Sequence, residues 1–260
     1  GDPSAAFFKN ELYEGRNGSA VTSLYDIDRA EILRGPQGFL FGRNSIGGAF
    51  SVHTAKADVG GEMSGYVDLD IGERSHAVGE GAINVPVSDS FAMRFAGYIS
   101  QEDGFVHNYF SDTDLIEQEK AAIRWSTRYE NDALSVDTTV EYEDRTQSGS
   151  VYRAIETGEI WETLEAALGD ITIRGDERDA DSDQAGGDDD DATILTLGLR
   201  VDYELDFATL TSLTGYKDHD YYYNEDYDGT PLSIVNYRQD QTGDYILQEL
   251  RLVSDTEGAL

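Results

Sequence analysis

From Met63 onward, apolar side chains recur at every second position in runs of about ten residues, the period of an extended strand. In SGYVDLDIG, Val67, Leu69 and Ile71 oppose Tyr66, Asp68 and Asp70. In the following runs Ile83, Val85 and Val87 oppose Glu80 and Asn84, and Phe91, Met93, Phe95 and Ile99 oppose Arg94 and Tyr98. The pattern continues through residues 120–129, 134–144, 194–203 and 245–253, with one further strand near 208–220 whose faces the sequence leaves open. That predicts about eight strands, longer than the usual five or six residues and long enough, when tilted, to cross a bilayer.

The connections are sorted by length. PVSDS, YENDA and ELDF are tight, while residues 102–117, 146–192 and 224–242 form long loops on alternate connections, GERS being short. Short turns at one end and long loops at the other are what an outer-membrane barrel requires. The faces opposite the apolar ones carry both signs of charge, at Glu80, Arg94, Arg124, Arg128, Glu141, Arg200, Glu249 and Arg251. A dry sandwich core would not hold these without large desolvation costs, whereas a hydrated or filled lumen would. The competing arrangement is a soluble antiparallel sheet with its polar face in water.

The formal charge is -33, which argues against a nucleic-acid partner, since phosphates need Lys and Arg to neutralise them. There is no cysteine, so thiol chemistry and disulfides are excluded. No run approaches the roughly 18 apolar residues of a spanning helix. The first residues do not read as a signal peptide, and the chain does not start with Met, so a fragment is expected.

Residues 1–58 follow a different regime, rich in turns, and contain the segment RGPQGFLFGRNSIGGAF. A phosphate-binding loop would need Lys and Ser or Thr after its last glycine, and the dinucleotide fingerprint needs another spacing. Neither fits Gly35, Gly38, Gly42, Gly47 and Gly48. The segment reads instead as a strand, AEILR, a turn at GPQG set by Pro36, about one helical turn over FLFGRNS, a second turn, and a strand from Ala49 to Thr54.

With these features on the page, YDIDRAEILRGPQGFLFGRNSIGGAFSVHTAK resembles the end of the plug domain of TonB-dependent outer-membrane receptors. AAFFKNELYEGRNG resembles the plug strand before it, and GAINVPVSDSFAMRFAGYISQEDGFVHN and QELRLVS resemble barrel strands of that family. The resemblance implies a mainly β chain: an α+β plug segment over 1–58, then antiparallel transmembrane β-barrel strands over 59–260, about eight of about 22. It implies active transport of a scarce ligand across the bacterial outer membrane. A ferric siderophore is the commonest class, with cobalamin or an oligosaccharide as others, and a passive porin or small eight-stranded barrel is the alternative. The implied partners are the TonB-ExbB-ExbD complex, outer-membrane lipid and the small-molecule ligand; neither a cofactor nor an enzymatic step is implied. The plug motif comprises Glu31, Arg34, Gly35, Pro36, Gly38, Gly42, Arg43, Gly47 and Gly48. Plug arginines in this family pair with glutamates on the inner wall, so Glu249 is a candidate partner of Arg34, the alternative being Glu31 within the plug.

Three outer-loop features remain. The acidic stretch from Asp176 to Asp191 is expected to be a disordered, solvated loop, since its Asp179, Asp181 and Asp183 lack the Gly and closing Glu of a calcium loop. Ile160, Trp161, Leu164 and Leu168 have helical spacing and are expected to pack within their loop, with ligand contact by Trp161 as the alternative. Tyr221, Tyr222 and Tyr223 are expected in an aromatic interface girdle, or else on a ligand-facing wall. The four histidines share no metal spacing, and no catalytic constellation stands out.

Overall fold

The alternating runs become strands, in the register their periodicity implies. The computed structural model describes residues 5–14, 23–36, 46–156, 158–168, 171–174, 178–183 and 189–254. The first elements are β1 (Ala5–Lys9), β2 (Leu12–Tyr13), β3 (Ile27–Arg34) and β4 (Gly48–Thr54), which form a four-stranded sheet in the order β2-β1-β4-β3. β4 is parallel to β1 and antiparallel to β3. Asn10 and Glu11, both with positive φ, make the two-residue turn between β1 and β2, with Lys9 opposite Leu12, the turn geometry that suits a tight hairpin.

Eight longer strands follow: β5 (Ser64–Ile71), β6 (Ala77–Ser88), β7 (Phe91–Glu102), β10 (Gln118–Glu130), β11 (Leu134–Gln147), β13 (Asp189–Leu205), β14 (Ala208–Asp226) and β15 (Asn236–Ser254). They form one antiparallel sheet in sequence order, each strand beside its predecessor. The turns at 89–90, 131–133 and 206–207 are short. The connections at 103–117, 148–188 and 227–235, at the opposite end, are long, as the sequence predicts. Strand length grows along the chain, from 8 residues in β5 to 19 in β15.

This curved wall is inside out by the standards of a water-soluble protein. Its apolar residues are exposed, with Val67 at 78%, Ile123 at 66% and Ile246 at 74%, while Arg124, Glu143 and Lys217 on the other face are no more than 3% exposed. Outward positions are apolar or small over residues 91–99, 121–129, 134–142 and 195–203, nine residues each. Nine to eleven tilted residues cross a hydrocarbon core. Within this belt the outward Thr127 and Thr138 hydroxyls bond each other at 2.6 Å, so neither is left unsatisfied. Above it the outward side chains turn polar, at Gln101, Glu119, Asp144, Asp218 and Asp244.

The long connections have structure of their own. β8 (Val106–Asn108), β9 (Thr113–Leu115) and β12 (Asp179–Ala180) form a small sheet in the order β12-β8-β9. Val106, Leu115 and Ala180 are its buried core. Asn108, fully buried, accepts from the Ser182 amide and donates to the Ser182 carbonyl, both at 3.0 Å. This corrects the expectation of a disordered acidic loop for the described part of 176–191. Ala180 is an apolar plug for the sheet, Asp181 is buried against Arg174, and Asp189–Asp191 already belong to β13. The helix α1 (Glu159–Leu168) forms where the spacing predicts it, but none of its residues is buried and Ile160 is 72% exposed. Trp161 and Leu164 are half-buried while Ile160 and Leu168 face out; ten residues cannot cross a membrane.

Candidate functional site

The four-stranded sheet lies against the charged face of the wall, and the contact between them holds a dense set of buried charges, among them Glu14, Asp26, Arg124, Glu141 and Lys217. It begins at Tyr25 and Asp26, just before β3. Asp26 sits at φ 50°, a left-handed conformation that Asp tolerates better than most residues, and this aims its carboxylate at the wall. Arg94 Nε donates to it at 2.9 Å from β7, and Arg124 Nη2 at 3.0 Å from β10. Its own amide donates to Glu80 at 2.9 Å. Burial alone would raise the Asp26 carboxyl, but the hydrogen bonds and charges of Arg94 and Arg124 outweigh it and hold the group below its ordinary 3.8.

Tyr25 is fully buried. Its ring rests on Ala82, Ala96 and Ala122, one from each of three adjacent strands. Tyr98 stacks on it at 5.8 Å and the Arg124 guanidinium covers it at 4.6 Å. Only short side chains on the wall leave room for this ring, so the paired Ala82 and Ala96, with Ala122 opposite Tyr98, form its seat. Burial, followed by the nearby Glu141, pushes the Tyr25 hydroxyl up.

The β1–β2 hairpin makes the second half of the contact. Lys9 is paired with Glu141 of β11, itself 3.6 Å from Arg124. Glu11 takes Arg200 of β13 and Arg251 of β15, the latter at 2.6 Å. Glu14 is buried against Lys217 of β14; burial raises its carboxyl above the ordinary 4.5, and Lys217 works against that rise. Leu12 projects over Gly198 and Gly215, and a Cβ at Gly215 would fall 2.6 Å from Leu12 Cδ2. The hairpin thus uses a bare patch of wall as the tyrosine uses the alanines. Further along, Asn84 clamps the backbone of Asp58, accepting from its amide at 2.8 Å and donating to its carbonyl at 3.1 Å.

Of the inward charges read from sequence, Glu80, Arg94, Arg124, Glu141, Arg200 and Arg251 all reach the inner sheet. Arg128 bonds Glu130 and Asp137 within the wall. Glu249 differs from expectation: it takes Arg251, while Glu31 takes Arg29. The β15 residue that reaches the inner sheet is Arg251, because the group it meets there is the Glu11 carboxylate, which attracts a guanidinium and repels the carboxylate of Glu249. Gly35 and Gly48 have positive φ, at 82° and 147°, and a Cβ at Gly48 would collide with the Leu33 carbonyl oxygen, so these two glycines serve the β3–β4 hairpin. Gly35 donates to the Gly47 carbonyl at 3.2 Å, and Pro36 follows. Gly38, Gly42, Arg43 and the expected helical turn lie outside the described residues. Residues that sequence reasoning missed are Tyr25, Asp26, Lys9, Glu11 and Glu14; the two aspartates of YDID and the opposite charges within KNELYE were the available signal.

The tyrosines do not form a girdle. Tyr221 and Tyr223 lie on the inward face, stacked at 6.2 Å, with Tyr237 against Tyr223 at 6.0 Å. Tyr222 faces outward above Asp218, covered by Arg238 at 5.1 Å. The physical reason is height: the three stand above the polar edge of the apolar belt. Among the described residues no group of three or more His, Asp or Glu is arranged to hold a metal ion. Between the hairpin and β10, β11 and β13 lies a polar cavity of about 520 Å³, lined in part by Lys56, Ser126, Asp137, Thr139 and Thr196. The arrangement can hold one body within another through many bonds that break without covalent change.

No protein-family model matches the chain. Solved structures do. The ferric yersiniabactin uptake receptor FyuA from Yersinia pestis superposes with a TM-score of 0.78 at 17% identity, over 98% of this chain and 37% of that one. The ferripyoverdine receptor of the outer membrane of Pseudomonas aeruginosa, bound to ferripyoverdine, gives 0.72 at 16% identity, over 95% of this chain and 32% of that one. The alcaligin outer membrane receptor FauA from Bordetella pertussis gives 0.63 at 15% identity, over 94% and 34%. The chain therefore spans about a third of the length of these structures and has the fold of the corresponding part of outer-membrane siderophore receptors.

Proposed function

We propose that the chain is the gate-bearing part of a TonB-dependent receptor in the bacterial outer membrane, with residues 1–58 as the end of the plug and 59–260 as the first strands of the barrel. Its task is uptake of a scarce ligand, a ferric siderophore. The observation that carries this reading is the buried lock of Asp26 with Arg94 and Arg124, reinforced by the pairs of Lys9, Glu11 and Glu14. A passive pore gains nothing from a body pinned in its lumen by buried ion pairs.

In this reading the ligand settles on the outer side, where Tyr221, Tyr222, Tyr223 and Trp161 are candidates to face it. Force delivered through the TonB-ExbB-ExbD complex then rearranges the plug. No covalent step is needed. Buried pairs suit the task because breaking one leaves an uncompensated charge, so the closed state resists thermal opening yet yields to directed force. Glu31, Arg34 and the motif glycines would keep the β3–β4 hairpin rigid while it moves.

The test is uptake of radiolabelled iron, presented as a panel of ferric siderophores, by a deletion strain with and without the gene. Gene-dependent uptake abolished by collapsing the proton gradient is the expected result. Uptake that survives an uncoupler would establish a passive porin instead, and recovery of the protein in the aqueous phase would defeat both membrane readings.

A further inference from the structure

The outward face of the wall is not uniform. A nearly all-apolar groove of about 450 Å³ crosses it from β5 to β11. Its floor is Gly79, Gly81, Gly97 and Ala121, and its rims are Leu69, Ile99, Ile123 and Tyr142. The floor follows from register. Gly81 pairs with Gly97, and Gly97 with Ile123, while Gly79 pairs with Ile99, and Ile99 with Ala121. On each of these two rungs, two of the three strands β6, β7 and β10 lack bulk, Ile123 and Ile99 being the exceptions.

From this groove we propose that the wall binds one acyl chain of an outer-leaflet lipid, a site that rests on the membrane reading given above. Four points select that occupant. The groove is continuous with the apolar belt, whose outward positions carry no charge over the nine residues of each central strand. Its upper end meets the polar boundary at Asp144, which lines it, so it lies in the outer half of the belt. It crosses five strands, and four spacings of about 4.8 Å give a length of roughly 19 Å; laid obliquely across a tilted wall, that matches the roughly 15 Å depth of half a ~30 Å hydrocarbon core. Finally, the backbone groups beneath it are consumed by the ladders of β6, β7 and β10. A protein partner within the membrane gains from hydrogen bonds and close packing of its own polar backbone, and this surface offers no bond to make. A hydrocarbon chain asks for none.

The same place is bare on the inner face. Ala82 and Ala96 follow and precede Gly81 and Gly97, and they seat Tyr25. The wall here is little more than backbone, with the plug's tyrosine on one side and the groove on the other. A chain in the groove supplies the packing that the missing side chains do not.

The test compares full-length protein extracted from outer membranes in mild detergent, by native mass spectrometry, as wild type, Gly97→Ile and Ala121→Leu, with Val136→Ile as an outward control away from the groove. Gly97 is the chosen glycine because a Cβ there meets nothing nearer than 3.9 Å. The expected result is one tightly retained acylated lipid on the wild type and the control, reduced at least tenfold in the variant or variants that keep the heat-modifiable mobility of a folded barrel. Equal retention in wild type and folded groove variants, absence of retained lipid on the wild type, or a retained protein partner or second copy displaced by the substitutions would each overturn it. Failure to recover the wild type from outer membranes at all would instead count against the membrane reading beneath it.

Discussion

Asp26 is the residue on which most of the buried interface converges. Removing a partner from a buried ion pair costs about 3–5 kcal/mol, so Arg124→Ala should loosen the inner sheet far more than Arg34→Ala, since Arg124 also covers the Tyr25 ring and bonds its carbonyl at 3.2 Å. Entry of large antibiotics and leak conductance in planar bilayers would measure this, and a sealed Arg124→Ala barrel would remove Asp26 from its central role. Two carboxylates of the interface, Asp26 and Glu14, respond to acid in opposite senses. Asp26 is depressed, so its contribution is present above its ordinary 3.8 and is lost as pH falls through its lower docked value. Glu14 is raised, so its contribution is full below its ordinary 4.5 and fades as pH rises through its docked value. Docking should therefore tighten modestly as pH falls from neutral toward 4.5, and fail only below 3.8. Leak conductance recorded across that range should show both limbs, with the acid limb absent in Asp26→Asn.

At the scale of elements, the wall is made to fit what lies against it by omission of bulk. Ala96→Leu places a larger side chain under the Tyr25 ring, and overpacking of this kind costs about 1–3 kcal/mol. The expected readout is faster maleimide labelling of a cysteine at Ser23, whose amide otherwise bonds Glu143 at 2.8 Å. In the loop sheet, Asn108→Ala strands both buried backbone groups of Ser182, a loss of about 1–3 kcal/mol, and residues 178–183 should become cleavable in limited proteolysis while the barrel stays intact. The strands themselves were legible in the sequence, because a sheet apolar on one side and charged on the other enforces strict alternation; even the sorting of loop lengths followed. β14 hid its faces, because its inward set, Thr211, Leu213, Gly215, Lys217 and His219, mixes polarity to suit Leu12 and Glu14. Pairings across the interface were not legible, since they depend on which rung each plug residue meets. A slip of two residues exchanges Glu249 for Arg251 without altering the pattern.

For the molecule as a whole, the apolar belt sets where the protein can reside. Ile123→Lys puts a charge mid-belt and should cost about 2–4 kcal/mol, seen as reduced spontaneous insertion into lipid vesicles, while Glu119→Lys at the polar edge should insert normally. The sequence carried the belt but not the strand ends that fix its limits: counted from the short turns, the outward side chain turns polar at the eleventh or twelfth residue each time, at Gln101, Glu119, Asp144, Asp218 and Asp244. The growth of the strands from 8 to 19 residues is therefore added above that boundary, and it has a consequence for the rim. On the membrane reading, the rungs of β14 and β15 above Asp218 and Asp244 should stand in water on both faces, their amides open to solvent deuterons, while the same two strands lower down should be shielded by hydrocarbon. A single hairpin thus carries its own depth gauge, and isotope uptake along β14 should break sharply near Asp218, recording how high the membrane stands against the wall.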